Sequence, residues 1–413
     1  MPFPSPRPYT QIRLSTKSFG ADAAAIAGRA LTNVAPTLTH ANLADIIAGR
    51  PEDEALAALS TLAAALADAA LHDLDLSDNA LGEKGVRAFG AALSAQTGLR
   101  SLSLLNVGAS LHACAAVSQL LTHAGELRCL AFHNNMSGCE GAAHIATLVA
   151  RAPKLAAFRM GSSRVGPEGG AALAQALMCA GSALEDLDLS DNPLTPACGP
   201  PLAALLAVHP GLTRLNLNDT GLEDEGVAAL AAALAGGAAP ALLHLELAQN
   251  EITPAGARAL GAALANRPRL IRLNVRDNEL ESAGAAAIAA GLAAAGAAAG
   301  PAWALREVDA CTSQIGRKGA VALASAVARA PALTLLALDD NQISEEGVSS
   351  VEAVMRGADK AGALGPLDEN AADLDEDDEE EEFDEEDEDG ISGGGVNGDD
   401  GGLADALAAT RLE

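Results

Sequence analysis

Apolar residues in this chain follow strand spacing and then helix spacing within each unit of about 28 residues. The clearest unit begins at residues 71–85, LHDLDLSDNALGEKG, which match the pattern LxxLxLxxNxL with the asparagine at Asn79. Residues 71–76 alternate apolar and polar side chains as a short strand does, whereas Val86 and Phe89 follow at helical spacing. The unit is therefore predicted to contain one strand followed by one helix.

The same unit recurs along most of the chain. The first leucine of each unit is Leu38, Leu71, Leu99, Leu127, Leu155, Leu184, Leu212, Leu242, Leu270, Leu305 or Leu333. The unit that starts at Leu38 matches the pattern only weakly. From Leu71 onward the steps are 28 to 30 residues, with one step of 35. A fixed period in this range is typical of leucine-rich repeats. We therefore predict an α/β leucine-rich repeat solenoid, a ribonuclease-inhibitor-like horseshoe of about 11 repeats of 28–29 residues.

Two further regularities support this register. A glycine stands fourteen residues after the first leucine at Gly85, Gly141, Gly169, Gly226, Gly256, Gly284, Gly319 and Gly347. Because glycine has no Cβ, we expect each helix to start close against its neighbour. Asparagines of the pattern stand at Asn79, Asn135, Asn192, Asn250, Asn278 and Asn341. Their amides are predicted to bond the backbone of the turn after each strand, which would otherwise be buried unpaired.

The repeats set the predicted domain boundaries. Residues 1–37 are predicted to form an N-terminal cap and residues 38–360 the leucine-rich repeat domain. Residues 367–402 are predicted to be a disordered tail, acidic and then glycine-rich, because 14 of the 16 residues at 374–389 are acidic. Residues 403–413 could form a short helix. Of the two long repeats, only the one with the charged segment at 46–56 has the character of a contact loop.

Composition narrows the class of partner. The formal net charge is −29, and 21 of the 55 acidic residues lie from residue 367 onward, which leaves a net −9 for the body. This balance argues against nucleic acid and favours a partner with a basic surface. The six cysteines include no CxxC pair, which predicts reduced thiols rather than a metal or disulfide framework. The uncharged segment 285–305 is predicted to be a repeat helix and loop, without membrane insertion.

No enzyme motif is visible in the sequence, so the chain is expected to act by binding. The position seven residues after each first leucine is predicted to lie at the rim of the strand face. These rim positions are Asp45, Asp78, Asn106, Asn134, Ser162, Asp191, Asp219, Gln249, Asp277, Thr312 and Asp340. Their acidic members suit Lys and Arg on a partner. Asp is also common in turns for local reasons, and both interpretations remain open at this point.

Several segments resemble the Ran GTPase-activating proteins, specifically their green-plant branch. They are YTQIRLSTKSFG at 9–20, AGRPE at 48–52, LDLSDNALGEKGVRAF at 74–89, FHNNMSG at 132–138, GPEGG at 166–170, LEDEG at 222–226 and NQISEEG at 341–347. The resemblance extends over about residues 9–389. It implies GTPase activation of Ran, in its GTP form and together with a Ran-binding protein, in nucleocytoplasmic transport. The Mg²⁺ and GTP belong to the partner, and the resemblance implies no cofactor and no active site in this chain.

The resemblance also implies site residues. Asn134, the first asparagine of FHNN, is implied to hold the catalytic Gln of Ran, and Arg50 is implied to support turnover or docking without acting as an arginine finger. Predicted partner-binding residues are Asp45, Asp78, Asn106, His133, Asp191, Asp219, Asp277 and Asp340. No cofactor-binding or metal-binding residue is predicted.

One departure from the plant relatives concerns location. Their N-terminal Trp-Pro-Pro domain, which targets the nuclear envelope, has no counterpart before Tyr9, and the single Trp is Trp303. We therefore expect a cytoplasmic protein, with perinuclear retention left open. The alternative function is a non-catalytic leucine-rich repeat scaffold or inhibitor that binds a basic protein. Sparse cysteine argues against the ribonuclease-inhibitor type of binder.

Overall fold

The computed structural model describes residues 9–181 and 184–370. The predicted acidic and glycine-rich tail from residue 371 onward, and the predicted helix at 403–413, lie outside the described residues.

A single parallel sheet runs through the described residues, and its strands are hydrogen-bonded in the order of the sequence. Each strand has three residues, and neighbouring strands pair at equivalent repeat positions, as Leu74 does with Leu102. The strands are β1 Gln11–Arg13, β2 His40–Asn42, β3 Asp73–Asp75, β4 Ser101–Ser103, β5 Cys129–Ala131, β6 Ala157–Arg159, β7 Asp186–Asp188, β8 Arg214–Asn216, β9 His244–Glu246, β10 Arg272–Asn274, β11 Glu307–Asp309 and β12 Leu335–Ala337.

Helices alternate with the strands. They are α1 Ala21–Val34, α2 Glu52–Leu66, α3 Gly82–Ala88, α4 Gly90–Ala95, α5 Leu111–Leu120, α6 Gly138–Val149, α7 Pro167–Ala180, α8 Gly199–Val208, α9 Glu223–Ala235, α10 Pro254–Leu264, α11 Glu281–Ala299, α12 Arg317–Val327 and α13 Glu345–Gly357. Short 3₁₀ turns lie at Ala35–Thr37, Pro196–Cys198, Gly300–Ala302 and Ala361–Ala363. The predicted α/β leucine-rich repeat solenoid is confirmed.

The core lies between the sheet and the row of helices. In the repeat that starts at Leu71, the residues Leu71, Leu74 and Leu76 are each no more than 1% exposed. Val86 and Phe89 of the following helical segment are equally buried. The strand spacing and the helix spacing of the sequence thus direct one set of apolar side chains into one continuous core, whose stability comes from burial of apolar surface.

The asparagine ladder is confirmed in its predicted role. Asn135 is 5% exposed, and its Oδ1 accepts the backbone N–H groups of Val107 at 3.2 Å and Ala109 at 2.9 Å. Its Nδ2 donates to the carbonyl oxygens of Leu104 at 2.9 Å and Phe132 at 2.6 Å. One side chain therefore satisfies backbone groups of two repeats in the buried turn, where an unpaired polar group is costly.

The predicted glycines stand where neighbouring helices meet. A Cβ on Gly169 would lie 2.9 Å from the Cα of Cys139 in the preceding helix, and one on Gly319 would lie 2.8 Å from the Cα of Ser282. Such distances are shorter than carbon atoms tolerate, and backbone cannot move aside as a side chain can. The expectation of close helix starts is confirmed.

Both ends of the described solenoid continue the repeat geometry. Strand β1 of the predicted N-terminal cap pairs in parallel with β2, so the cap adds a strand and helix α1 to the two layers. At the other end, Leu364 forms an isolated parallel bridge with Leu336. The Oδ1 of Asn370 accepts a hydrogen bond from the backbone N–H of Asn341 at 2.9 Å. Within the ladder, the Oδ1 of Asn278 accepts the backbone N–H of Asn250 in the same way.

Helix α11 and the turn after it, Glu281–Ala302, form a 22-residue segment long and apolar enough to cross a membrane by length and composition alone, with a mean hydropathy of 1.6. Within the solenoid α11 packs between α10 and α12. A Cβ on Gly291 would collide with the carbonyl oxygen of Gly261 in α10, so the small residues of α11 permit close helix packing. The predicted repeat helix is observed here.

Candidate functional site

Every rim position of the repeats adopts the same unusual backbone conformation. All eleven residues have a positive φ, between 49° at Ser162 and 58° at Asp78. Asn and Asp tolerate this left-handed region better than most residues, so part of the Asp preference is local turn chemistry. Ser162, Gln249 and Thr312 adopt the same conformation without a carboxylate. The backbone therefore accounts for the turn but does not require the negative charge.

Asn134 is an exposed rim residue held in place by the adjacent repeats. Its backbone N–H donates to the carbonyl oxygen of Gly161 in the next repeat at 3.0 Å. Its side-chain Nδ2 donates to Oδ1 of Asn106 in the preceding repeat at 3.3 Å. The Nδ2 of Asn106 in turn donates to Oδ1 of Asp78 at 3.2 Å. The three side chains form a hydrogen-bonded row across three repeats, which we call the rim relay.

The carboxylate of Asp78 gives the rim relay a direction. An ionised carboxylate can only accept, so Asn106 must present its NH₂ group to Asp78 and its carbonyl oxygen to Asn134. Asn134 must then donate its own NH₂ group to Asn106. Its Oδ1 has no hydrogen-bond partner among the described residues and remains able to accept a hydrogen bond from a partner.

His133 and Met136 flank the asparagine pair on the same repeat. The half-buried ring of His133 lies over Gly161, where a Cβ would be 2.6 Å from Nδ1, and its Nε2 lies 3.5 Å from Oγ of Ser162. Met136 is 53% exposed, although most large apolar side chains of the chain are buried. Sequence reasoning did not single out Met136. The sequence feature that could have identified it is an apolar residue at a loop position.

Arg50 lies on the rim loop before α2 and is tied to the N-terminal unit. Its Nε donates to Oγ of Ser18 at 2.8 Å and one terminal nitrogen donates to the Ser18 carbonyl oxygen at 3.1 Å. A second terminal nitrogen lies 3.7 Å from a carboxylate oxygen of Glu54. Arg50 belongs to the repeat that starts at Leu38, three repeats before Asn134. The structure does not bring these two predicted catalytic residues into contact.

The remaining predicted partner-binding residues lie along the same rim. Burial, and then the charges of Asp191 and Asp277, raise the pKa of the Asp219 carboxyl. Gln249 Nε2 donates to Asp277 at 2.8 Å, and Thr312 Oγ1 donates to Asp340 at 3.0 Å. A shared open depression is lined by Asp219, Gln249, Asp277, Thr312 and Asp340, together with Glu251, Glu279 and Glu369. Asp45 is half-buried in the turn after β2, several repeats before these residues.

The strand face carries charged pairs that sequence reasoning missed. The ring of His40 lies 2.9 Å from Asp73, and Arg159 lies 2.5 Å from Asp186. Arg272 lies between Glu246, at 2.8 Å, and Glu307. These pairs could have been predicted from the sequence, because the first and third residues of each strand point away from the core in every repeat.

The six cysteines are free thiols in the structure, and burial raises the pKa of Cys114, Cys198 and Cys311 to about 11. Within residues 9–181 and 184–370, no three His, Cys, Asp or Glu side chains are grouped so that they could hold a metal ion.

Fold and rim together define the class, a leucine-rich repeat protein whose strand-to-helix loops present a polar edge. A family model described as leucine-rich repeat matches residues 70–90, 209–231, 240–261 and 269–289. An internalin structure from Listeria monocytogenes is similar with a TM-score of 0.47 and 14% identity, over 83% of this chain and 84% of that one.

The chain is also similar to RAN GTPase-activating proteins 1 and 2 of Arabidopsis thaliana. Identity is 46% over 105 residues and 48% over 94 residues, or 25% and 23% of this chain. Ran GTPase-activating protein 1 of Xenopus laevis is 36% identical over 115 residues, or 27% of this chain. The matched segments span 20%, 17% and 20% of the length of these relatives. The resemblance to Ran GTPase-activating proteins of the leucine-rich repeat type is thus confirmed.

Proposed function

We propose that this protein activates GTP hydrolysis by the small GTPase Ran. The similarity to Ran GTPase-activating proteins supports the partner. The observation that carries the mechanism is the exposed Asn134 amide, whose Oδ1 is free among the described residues while its Nδ2 is engaged by Asn106. This arrangement suits a residue that positions a group of another protein.

In the proposed mechanism, the catalytic Gln of Ran donates an amide N–H to Oδ1 of Asn134. The Gln carbonyl is then held so that it orients the attacking water, a role that Gln residues have in GTP hydrolysis by small GTPases. A neutral amide adds no charge beside the phosphates and restricts the Gln through a hydrogen bond alone. Mg²⁺ and GTP are supplied by the partner, and the activator contributes no cofactor.

Arg50 is proposed to support docking without reaching the γ-phosphate. Its guanidinium already donates to both the hydroxyl and the carbonyl oxygen of Ser18 and lies near Glu54. An arginine finger would have to give up these contacts to extend into the nucleotide site. His133 and the acidic rim positions are proposed to contact Ran in its GTP form, with a Ran-binding protein as a further partner.

The expected physiological role is to keep Ran in its GDP form outside the nucleus, and so to give nuclear transport its direction. We propose a cytoplasmic or perinuclear location on the same basis. A second candidate function is a non-catalytic scaffold or inhibitor for a basic protein, which the acidic side of the rim favours. That function would use the same edge of the solenoid without needing a free amide at Asn134.

Stoichiometry separates the two functions. GTP-loaded Ran is mixed with the full chain at about one part in a hundred, and phosphate release is followed. An activator turns over and accelerates hydrolysis of the whole pool by orders of magnitude. An inhibitor or scaffold must match its target one to one, so unchanged hydrolysis at this ratio would exclude the activator function.

A further inference from the structure

The helix-to-strand edge of the solenoid lies at the opposite end of the strands from the rim, and its central repeats carry an excess of positive charge. Residues 99–183 contain six basic and three acidic residues, although the formal net charge of the chain is −29. Four of these basic residues lie in the segments that join a helix to the next strand, and one acidic residue, Glu126, lies there with them. We call the four the basic edge, and they are Arg100, Arg128, Arg151 and Lys154.

Two members of the basic edge are already engaged within the chain. The Nζ of Lys154 lies 2.6 Å from Oε1 of Glu126. A terminal nitrogen of Arg151 donates to the carbonyl oxygen of Ser118 at 2.7 Å. The one carboxylate in these joining segments is therefore paired with a lysine.

Arg100 and Arg128 are neighbours that have no such partner. They occupy the same repeat position, one residue after the first leucine, and the backbone N–H of Arg128 donates to the carbonyl oxygen of Arg100 at 2.7 Å. Both side chains are exposed, and neither guanidinium makes a hydrogen bond or an ion pair with another described residue. Two cations side by side at a strand spacing of about 5 Å repel each other. The fold does not need this pair, since His72 and Ala156 occupy the same position in the repeats on either side.

We propose that the basic edge binds an acidic segment of a second protein partner, whose carboxylates lie against Arg100 and Arg128. The guanidinium group of arginine is a planar fork of donors that matches a carboxylate in a bidentate geometry. A bound carboxylate also offsets the repulsion between the two guanidinium groups. This inference goes beyond the proposed function and does not depend on it, because it concerns the other edge of the sheet.

The charge distribution favours a short acidic protein segment over an extended polyanion. The basic edge spans three neighbouring repeats, which corresponds to about 10 Å at the usual strand spacing. A membrane surface or a nucleic acid would extend past it and be repelled by a chain whose net charge is −29. An acidic segment of a few residues can instead pair with the two free arginines locally.

The two edges are far enough apart for two partners to bind at the same time. Arg100 precedes β4 and Asn106 follows it, so six residue steps of extended chain, or about 20 Å, separate the basic edge from the rim. This distance exceeds the screening length of about 8 Å at physiological ionic strength. The acidic partner is therefore held without displacing a protein bound at the rim.

The test uses the full chain and a fluorescein-labelled synthetic peptide in which glutamate alternates with serine. A peptide with glutamine in place of glutamate is the ligand control. Arg100→Glu combined with Arg128→Glu reverses the charge of the free pair. Arg269→Glu combined with Arg306→Glu makes the same change of charge on the same edge, at two exposed residues. Arg306 is flanked at its repeat position by uncharged residues on both sides, so it has no equivalent arginine beside it.

Fluorescence anisotropy at low and physiological salt gives the affinity, and thermal unfolding checks that each variant folds. We expect the Arg100 and Arg128 double variant to bind the glutamate peptide about tenfold or more weakly than the parent, and the Arg269 and Arg306 double variant to stay within about threefold. Added salt should weaken binding by the parent. Acceleration of GTP hydrolysis by Ran should stay within about twofold of the parent for both variants, with and without the peptide.

Absence of peptide binding by the parent, or an equal loss of affinity in the two folded double variants, would overturn the proposal. Equal binding of the glutamate and glutamine peptides would also overturn it. Binding to phosphatidylserine vesicles that depends on Arg100 and Arg128, without binding to the peptide, would assign the edge to a membrane instead.

If a glutamate double variant does not fold, glutamine at the same two positions of each pair decides by the same comparison. Peptide binding is measured without Ran. An inactive parent would therefore refute the proposed function and leave the binding result to be decided separately.

Discussion

The Nδ2 of Asn106 donates to the Asp78 carboxylate at 3.2 Å across two neighbouring repeats. Because that carboxylate cannot donate, the hydrogen bond orients Asn106 and, through it, the amide of Asn134. A rim aspartate two repeats away from Asn134 thereby selects which atom of Asn134 is offered to a partner. Asp78 acts as a positioning residue in this arrangement, because it need not touch the partner to have its effect.

The first prediction concerns this orientation. Asp78→Asn removes the acceptor-only partner, so the amides of Asn106 and Asn134 can flip, and we expect kcat for Ran GTP hydrolysis to fall about threefold to tenfold. Asp277→Asn is the matched control for kcat, since Asp277 also accepts a rim amide, from Gln249 at 2.8 Å, outside the rim relay. Single-turnover kinetics provide the readout. A loss confined to KM would indicate that Asp78 acts only in docking.

The second prediction concerns Asn134 itself. Asn134→Gly keeps a residue that tolerates the φ of 56° but removes the amide. We expect acceleration of GTP hydrolysis to drop more than tenfold while the unfolding midpoint stays close to that of the parent. Asn134→Ala should lose the same activity with an added cost of about 1 kcal/mol for the left-handed backbone. Undiminished acceleration by both variants would remove Asn134 from the mechanism.

The third prediction separates Asn134 from its neighbour in sequence. Asn135→Ala leaves the buried N–H groups of Val107 and Ala109 without their acceptor. We expect the free energy of unfolding to fall by about 3 kcal/mol, measured by urea denaturation. The adjacent Asn134→Gly variant serves as the comparison. Similar stability losses in the two variants would contradict the division between a ladder asparagine and a rim asparagine.

The fourth prediction concerns Arg50. Arg50→Ala should raise KM severalfold and change kcat by no more than about twofold, because the side chain holds the rim loop to Ser18 rather than extending outward. Ser18→Ala should reproduce part of that rise in KM by removing the hydroxyl acceptor. An arginine finger would instead show a kcat loss of about 10³–10⁵, and such a loss would refute the docking role.

The fifth prediction concerns pH and stability. His209 is 1% exposed, neither ring nitrogen has a hydrogen-bond partner among the described residues, and burial lowers its pKa from the ordinary value of 6.5. Below about pH 6.5 the unfolded chain therefore binds a proton at His209 that the folded chain binds only at lower pH.

Stability should accordingly decline as pH falls below about 6.5, until the folded-state pKa is passed. His209→Gln should weaken this decline, since Gln96 occupies the equivalent slot of an earlier repeat and bonds the backbone of Leu71 at 2.8 Å. Urea denaturation between pH 7.5 and 5 gives the comparison, with the exposed His123→Gln as control. A parallel pH profile for parent and His209→Gln would show that His209 does not contribute.

The repeat pattern was sufficient to predict the solenoid, the Asn135-type ladder and the close helix starts at glycines such as Gly169. These features depend on spacing within one repeat, and a local pattern repeated many times can satisfy only one packing arrangement. The exposed rim position of Asn134 also followed from counting along the repeat. Its role followed only from the resemblance of FHNN and its neighbours to a known family.

Three features could not be predicted in this way. They are the direction of the rim relay, the hydrogen bonds between Arg50 and Ser18, and the burial of His209 without a hydrogen-bond partner among the described residues. Each depends on side chains from different repeats, and the sequence does not state which rotamer meets which neighbour across a distance of about 28 residues. The tertiary stacking brings equivalent positions of successive repeats side by side, about 5 Å apart. Only that stacking converts a column of separate polar residues into a directed row of hydrogen bonds.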